Sequence, residues 1–128
     1  MLIEEVRRAL DADRTIDITT TGRRSGVPRR IETWLYRADG RLYLTGSPGR
    51  RDWYANLVAH PSFTVHLKQS VTADLPASAR PVTDESERRA VLAGLLRDVS
   101  YPADFAQWLA GSPIVEVTVA EPSHRAGG

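Results

Sequence analysis

The chain reads as a mainly β domain with flanking helices, an α+β protein built round a small antiparallel barrel. Three observations carry this reading. Short runs of alternating apolar and polar residues, rich in Ile, Val and Thr, recur along the chain with turn residues between them. Helical periodicity is confined to the start of the chain and to stretches between such runs. Six strands joined largely as hairpins would leave exposed edges in a flat sheet, and closing the sheet removes them.

Leu2, Ile3, Val6 and Leu10 recur at helical spacing, with Glu4, Glu5, Arg7 and Arg8 between them. They predict a short helix that lays one narrow apolar stripe on the sheet. Ile16, Ile18 and Thr20 alternate with Asp17, Thr19 and Thr21, a half-buried strand from Thr15 to Thr21. A longer run, Arg29 to Arg37, alternates through Ile31, Glu32, Thr33, Trp34, Leu35 and Tyr36. Asp39-Gly40 is a hairpin signal leading to a third strand, Leu42 to Leu44, so these three strands are expected to form a meander. Asp52 caps a helix that begins at Trp53 and stops before Pro61.

A fourth strand follows, in which Phe63, Val65 and Leu67 face one way and Thr64, His66 and Lys68 the other. That alternation turns His66 outward, to solvent or an interface. The fifth segment, Val71 to Val82, contains Pro76 and Pro81 and is therefore expected to bend or to lie at an edge. Asp84-Glu85-Ser86-Glu87 opens a helix by a capping pattern, with Val91, Leu92, Leu95, Leu96 and Val99 as its buried stripe. After a break at Ser100 to Pro102 come a shorter helix with Phe105, Trp108 and Leu109 and a last strand with Val115, Val117 and Val119. One domain is expected over residues 1–122, followed by a loose tail, 123–128.

Two loops carry the chemistry. The first, after the first strand, reads Gly22-Arg23-Arg24-Ser25-Gly26-Val27-Pro28-Arg29. Its glycines allow a tight turn, its arginines suit bidentate contact with phosphate or carboxylate, and its hydroxyls add donors. An anion cradle and an ordinary solvated turn both fit that composition. The second loop, Gly46-Ser47-Pro48-Gly49-Arg50-Arg51, is again basic and leads into a helix N-terminus, where anions are favoured. From Arg23 to Arg51 there are eight arginines and two carboxylates, +6, while the rest of the chain carries −5. Positive potential is thus focused on one early segment, as a polyanionic partner requires.

Other classes lack support. No apolar run approaches the roughly 20 residues of a membrane span, and the acidic amphipathic start is not a secretory signal. Cysteine is absent, which excludes thiolate catalysis and disulfides and fits a cytoplasmic protein. His60, His66 and His124 are not at metal-ligand spacing, so no metal is expected. A small nucleic-acid-binding barrel would use the same arginines, but the strands show no evident exposed aromatic platform beyond Trp34, Tyr36 and Tyr43. Few acid–base groups beside anion-binding loops point to a cofactor that carries the reactivity itself.

The stretch 19–29, the segment Asp52 to Pro61, and Tyr101 to Trp108 followed by Ile-Val-Glu-Val-Thr-Val resemble the deazaflavin-dependent nitroreductase and quinone reductase family. The resemblance runs from about Thr15 to Pro122. It implies a split β-barrel like that of the flavin-binding, pyridoxamine-phosphate-oxidase-like proteins, and binding of coenzyme F420, a deazaflavin hydride carrier with a phosphate and an oligoglutamate tail. By the same resemblance Gly22, Arg23, Arg24, Ser25, Gly26, Pro28 and Arg29 hold the phosphate and acidic tail. Ser47 and Gly49 lie against the ring, with Arg50 or Arg51 adding charge, and Trp53 and Asn56 flank it. The second loop is shorter than in typical members, with Pro48 in place of a lysine, and Phe105 stands where nitro-reducing members carry a hydroxyl. The implied activity is hydride delivery from reduced F420 to a quinone-like, nitro or other conjugated small-molecule acceptor, with Tyr101 as proton donor. The alternative is a split barrel that binds flavin mononucleotide (FMN). A homodimer is left open.

Overall fold

The computed structural model describes residues 3–95 and 105–120. In chain order the elements are α1 (Glu4–Ala12), β1 (Thr15–Thr21), β2 (Pro28–Trp34), β3 (Tyr36–Ala38), β4 (Arg41–Thr45) and α2 (Asp52–Ala59). Then follow β5 (Ser62–Leu67), β6 (Ala73–Pro81), α3 (Glu85–Leu95), α4 (Phe105–Gly111) and β7 (Ile114–Val119). The strands form one antiparallel sheet in the order β2-β1-β5-β6-β7-β4-β3.

The topology dictates the shape. β2 and β3 lie at opposite edges of this sheet, yet only Leu35 separates them along the chain. A flat sheet of this width would set its edges roughly 29 Å apart, whereas one residue advances the chain by about 3.3 Å. The sheet must therefore curl until its edges come together. Leu35 makes the corner: its side chain is buried in the core and its N–H donates to the Arg14 carbonyl at 2.7 Å.

This changes two expectations. The run from Arg29 to Arg37 is two strands, making seven strands among the described residues instead of six. β2 and β4 are not neighbours, so the meander is broken, and β1 pairs on its other side with β5. β2 and β3 remain edges that do not pair with each other, so the sheet does not close fully and forms the split barrel that the resemblance implies.

β6 is an interior strand despite its prolines. The bonds from Ala79 N–H to the Pro61 carbonyl and from Val82 N–H to the Ile114 carbonyl fix its alternation. Pro81 thus turns its nitrogen toward β5 beyond that strand's end at Ser62. Pro76 accepts from Ala120 N–H, one residue past the end of β7. Each missing N–H falls where a ladder stops, so neither proline forces an edge position.

The concave face carries the core. Ile16, Ile18, Leu44, Val65, Leu67, Val115 and Val117 pack with Val6, Ala9 and Leu10 of α1 and Leu57 of α2. Ile3 is exposed and precedes the helix, and Ala9 completes the α1 stripe. A second cluster joins Tyr43, Val82 and Ile114 to Val91, Leu92 and Leu95 of α3, with Phe105, Trp108 and Leu109 of α4 against it. Asp84 accepts from Glu87 N–H at 2.9 Å, the capping contact expected for α3. Asp39 and Gly40 both take positive φ, 52° and 74°, as the tight hairpin turn requires. Leu2, Leu96, Val99, the break at Ser100 to Pro102 and the tail 123–128 lie outside the described residues.

His66 corrects another expectation. Parity does point it away from the core, but it is buried between neighbouring strands. Its Nδ1 meets Asp74 Oδ1 and its Nε2 meets Thr19 Oγ1, both at 2.7 Å. The outer face is laced with such contacts. Lys68 and Arg30 hold the Asp17 carboxyl below its ordinary range, His66 does the same to Asp74, and Arg80 to Glu87. Because these folded-state pKa values are depressed, their stabilisation is present above the ordinary values, 3.8 for Asp17 and Asp74 and 4.5 for Glu87. It is lost as pH falls through the lower folded-state values. Urea midpoints are accordingly expected to stay level from about pH 7 to 5 and to drop below about pH 4. A midpoint unchanged to pH 3 would show that these pairs add nothing.

Candidate functional site

The β1–β2 hairpin ends in the arginine loop. Gly22 N–H donates to the Val27 carbonyl and Gly26 N–H to the Gly22 carbonyl, each at 2.9 Å. Gly26 has φ 71°, which a side chain resists. A Cβ at Gly22 would lie 2.4 Å from Ser25 Oγ, so a side chain there would have to turn that hydroxyl away. That hydroxyl accepts from Val27 N–H at 3.1 Å, so Ser25 braces the loop.

Helix α2 runs beside this loop and grips it. Asn56 is 4% exposed. Its Oδ1 accepts from Arg23 N–H at 3.0 Å and from Arg23 Nη1 at 3.2 Å, and its Nδ2 donates to Thr20 Oγ1 at 3.1 Å. Asp52, one turn earlier, faces Arg23 Nη2 at 3.5 Å. Helix α2 begins at Asp52 itself, and Arg51 occupies the N-cap position without a side-chain cap bond. Arg23 is thus committed to the helix. Among the described residues Arg24 and Arg29 have no ion-pair partner, and the N–H groups of Arg24 and Ser25 have no protein acceptor.

Between loop, β-hairpin and helix lies a cleft of about 450 Å³. Gly22, Arg23, Arg24, Ser25 and Arg29 line its basic side, and Trp53 and Asn56 line it from α2. These are seven of the residues singled out in the sequence. Thr20, Ile31 and Asp52 also line it and were not anticipated as site residues. Parity was the available signal for two of them. Thr20 pairs with Arg29 and Ile18 with Ile31 across the hairpin, on the face that carries Ile16 and Ile18 into the core. Ile31 and Trp53 supply apolar surface to the same cleft.

Gly26 and Pro28 shape the loop without lining the cleft, and neither do Ser47, Gly49, Arg50 and Arg51 line it. The second loop is tied elsewhere. Arg51 Nη2 folds back on the Ser47 carbonyl and hydroxyl at 3.1 Å each, and Gly49 N–H donates to the Gly111 carbonyl at 3.2 Å. The two basic loops therefore do not share this cleft. Trp34 lies away from it, 49% exposed, with the Arg14 guanidinium 5.2 Å from its ring. Tyr101 lies outside the described residues. No helix among them is long and apolar enough to cross a membrane.

The curled antiparallel sheet with its flanking helices is a split β-barrel, the fold shared with the solved structures below. Residues 4–122 match the family model of the F420H2-dependent quinone reductases, and the chain belongs to that family of oxidoreductases. Solved structures of the same fold include an F420-H2 dependent reductase, 23% identical, with a TM-score of 0.59 over 83% of this chain and 95% of that one. A conserved hypothetical protein of Mycobacterium tuberculosis is 18% identical, with a TM-score of 0.68 over 94% and 82% of the two chains. An FAD-binding protein of Mesorhizobium loti is 15% identical, with a TM-score of 0.62 over 94% and 91%.

Proposed function

We propose that this chain binds coenzyme F420 in the cleft beside the arginine loop and reduces a quinone-like acceptor. The observation that carries the reading is a pair of arginines, Arg24 and Arg29, that line the cleft and have no ion-pair partner among the described residues. A phosphate and glutamate carboxylates match the guanidinium groups and the two free loop N–H groups. A flat aromatic ring matches Ile31 and Trp53. Family membership supports the same cofactor. When bound, the deazaflavin supplies a hydride; a quinone that takes it up together with one proton becomes a hydroquinone. The chain's part is to fix the ring against the acceptor and to exclude water from the contact. Tyr101 is our candidate for the proton.

Trp53 lines the cleft, so quenching of tryptophan emission should report binding. F420 is expected to bind more tightly than FMN, which lacks the glutamate tail, and its affinity should fall as salt rises. Tight FMN binding with no F420 binding would replace this reading with the flavin one. Tyr101→Phe should lower turnover while leaving F420 affinity unchanged; unaltered turnover would remove it as the donor.

A further inference from the structure

We infer that Asn56 is a positioning residue for the arginine loop, acting through Arg23 and not by touching the anion. The inference takes its ligand from the cofactor reading above. Its geometric basis stands apart from that reading.

Asn56 is buried, and both polar atoms of its side chain are engaged within the protein. Arg23 offers only donors, its main-chain N–H and Nη1, so they hold Oδ1 toward Arg23 and leave Nδ2 to donate to Thr20 Oγ1. Oδ1 then receives both the main-chain and the side-chain donors of that one residue. The loop's own bonds, Gly22 to Val27 and Gly26 to Gly22, fix its internal shape but not its orientation on the sheet. Among the described residues its other tie to α2 is the Arg23–Asp52 pair, long at 3.5 Å, with the Asp52 side chain 89% exposed. Such an exposed pair contributes little. Asn56 is therefore the anchor. Arg24, the next residue, points where the fixed Arg23 backbone sends it. Without the anchor, ligand binding would also have to order the loop, and affinity would drop.

The test uses the full chain with Asn56→Ala and Asn56→Asp. Amide hydrogen exchange is read without ligand, and F420 affinity is read separately. In Asn56→Ala, exchange at the Arg23 amide is expected to speed up by about tenfold or more, with β5 and β6 amides unchanged. In Asn56→Asp protection should return, because the carboxylate accepts both Arg23 bonds and the Thr20 hydroxyl can turn to donate. F420 affinity should fall about tenfold in Asn56→Ala. Unchanged exchange at Arg23 overturns the inference. So does acceleration spread through β5 and β6, which marks a global role, and so does a lost affinity with exchange at Arg23 unchanged, which marks direct contact with the ligand. If the unmodified protein fails to bind F420, the cofactor reading falls, while local exchange at Arg23 still decides whether Asn56 holds the loop.

Discussion

Alanine at both Arg24 and Arg29 is expected to weaken F420 binding by about 100-fold at low salt, ~3 kcal/mol. Both side chains line the cleft and neither has an ion-pair partner among the described residues. Their charge is available to a ligand without first breaking an internal contact. Arg23 is in a different position, because Asn56 and Asp52 already engage it. Removing Arg23 should act chiefly on loop order, removing the other two on direct charge pairing. The loss should shrink as salt rises, since exposed charges are screened within about 10 Å at 0.1 M salt. Arg30 is the control. It sits beside Arg29 but faces the other way, paired with Asp17 at 2.9 Å. Arg30→Ala should leave affinity alone. All three residues are exposed, so the core is undisturbed. Calorimetric titration of the double variant at two salt concentrations decides the matter, and an unchanged dissociation constant would remove the anion cradle.

Most elements were legible because alternation and turn chemistry agree locally. Ile16, Ile18 and Thr20 define one strand face, Asp39-Gly40 takes the two positive φ values its turn needs, and Asp84 caps α3 as its sequence says. What the sequence hid was long-range. The alternation through Ile31, Thr33 and Leu35 continues smoothly across a corner where the chain leaves one sheet edge for the other. Nothing local marks that corner. It follows from the pairing of β1 with β5 and of β4 with β7, which depends on residues far along the chain. The burial of His66 is of the same kind, set by Thr19 on β1 and Asp74 on β6.

The site divides along the same line. Gly22, Gly26 and the arginines between them declare a tight basic loop, and the loop is there. The use of each side chain was not readable. Ser25 braces the turn, Arg23 is held by α2, and Arg51 bonds its own loop at Ser47. Composition shows which groups could bind an anion; only three-dimensional neighbours show which of them are still free to do so. Arg24 and Arg29 emerge from that elimination.

Replacing Arg88 with methionine is expected to lower the stability of the fold by about 2–4 kcal/mol. Arg88 lies on α3, and its guanidinium donates to four backbone carbonyls: Val82 at 3.1 Å, Trp108 at 3.4 Å, Leu109 at 2.9 Å and Ser112 at 2.8 Å. Trp108 and Leu109 belong to the last turn of α4, whose carbonyls carry partial negative charge; that of Trp108 also accepts from Ser112 N–H at 3.0 Å. Val82 follows β6, and Ser112 leads into β7. One side chain thus ties α3 to α4 and to the β6–β7 edge of the second core cluster. Methionine keeps much of the apolar stem, so the measured loss reports the polar contacts more than the packing. Arg89 provides the comparison, being exposed and, among the described residues, paired only with Glu85 at 3.2 Å; Arg89→Ala should cost about 0.5 kcal/mol or less. Urea unfolding of the two variants, followed by tryptophan emission, separates a partly buried clamp from a surface pair. A loss below about 1 kcal/mol for Arg88→Met would mean that water serves these carbonyls nearly as well as the guanidinium does.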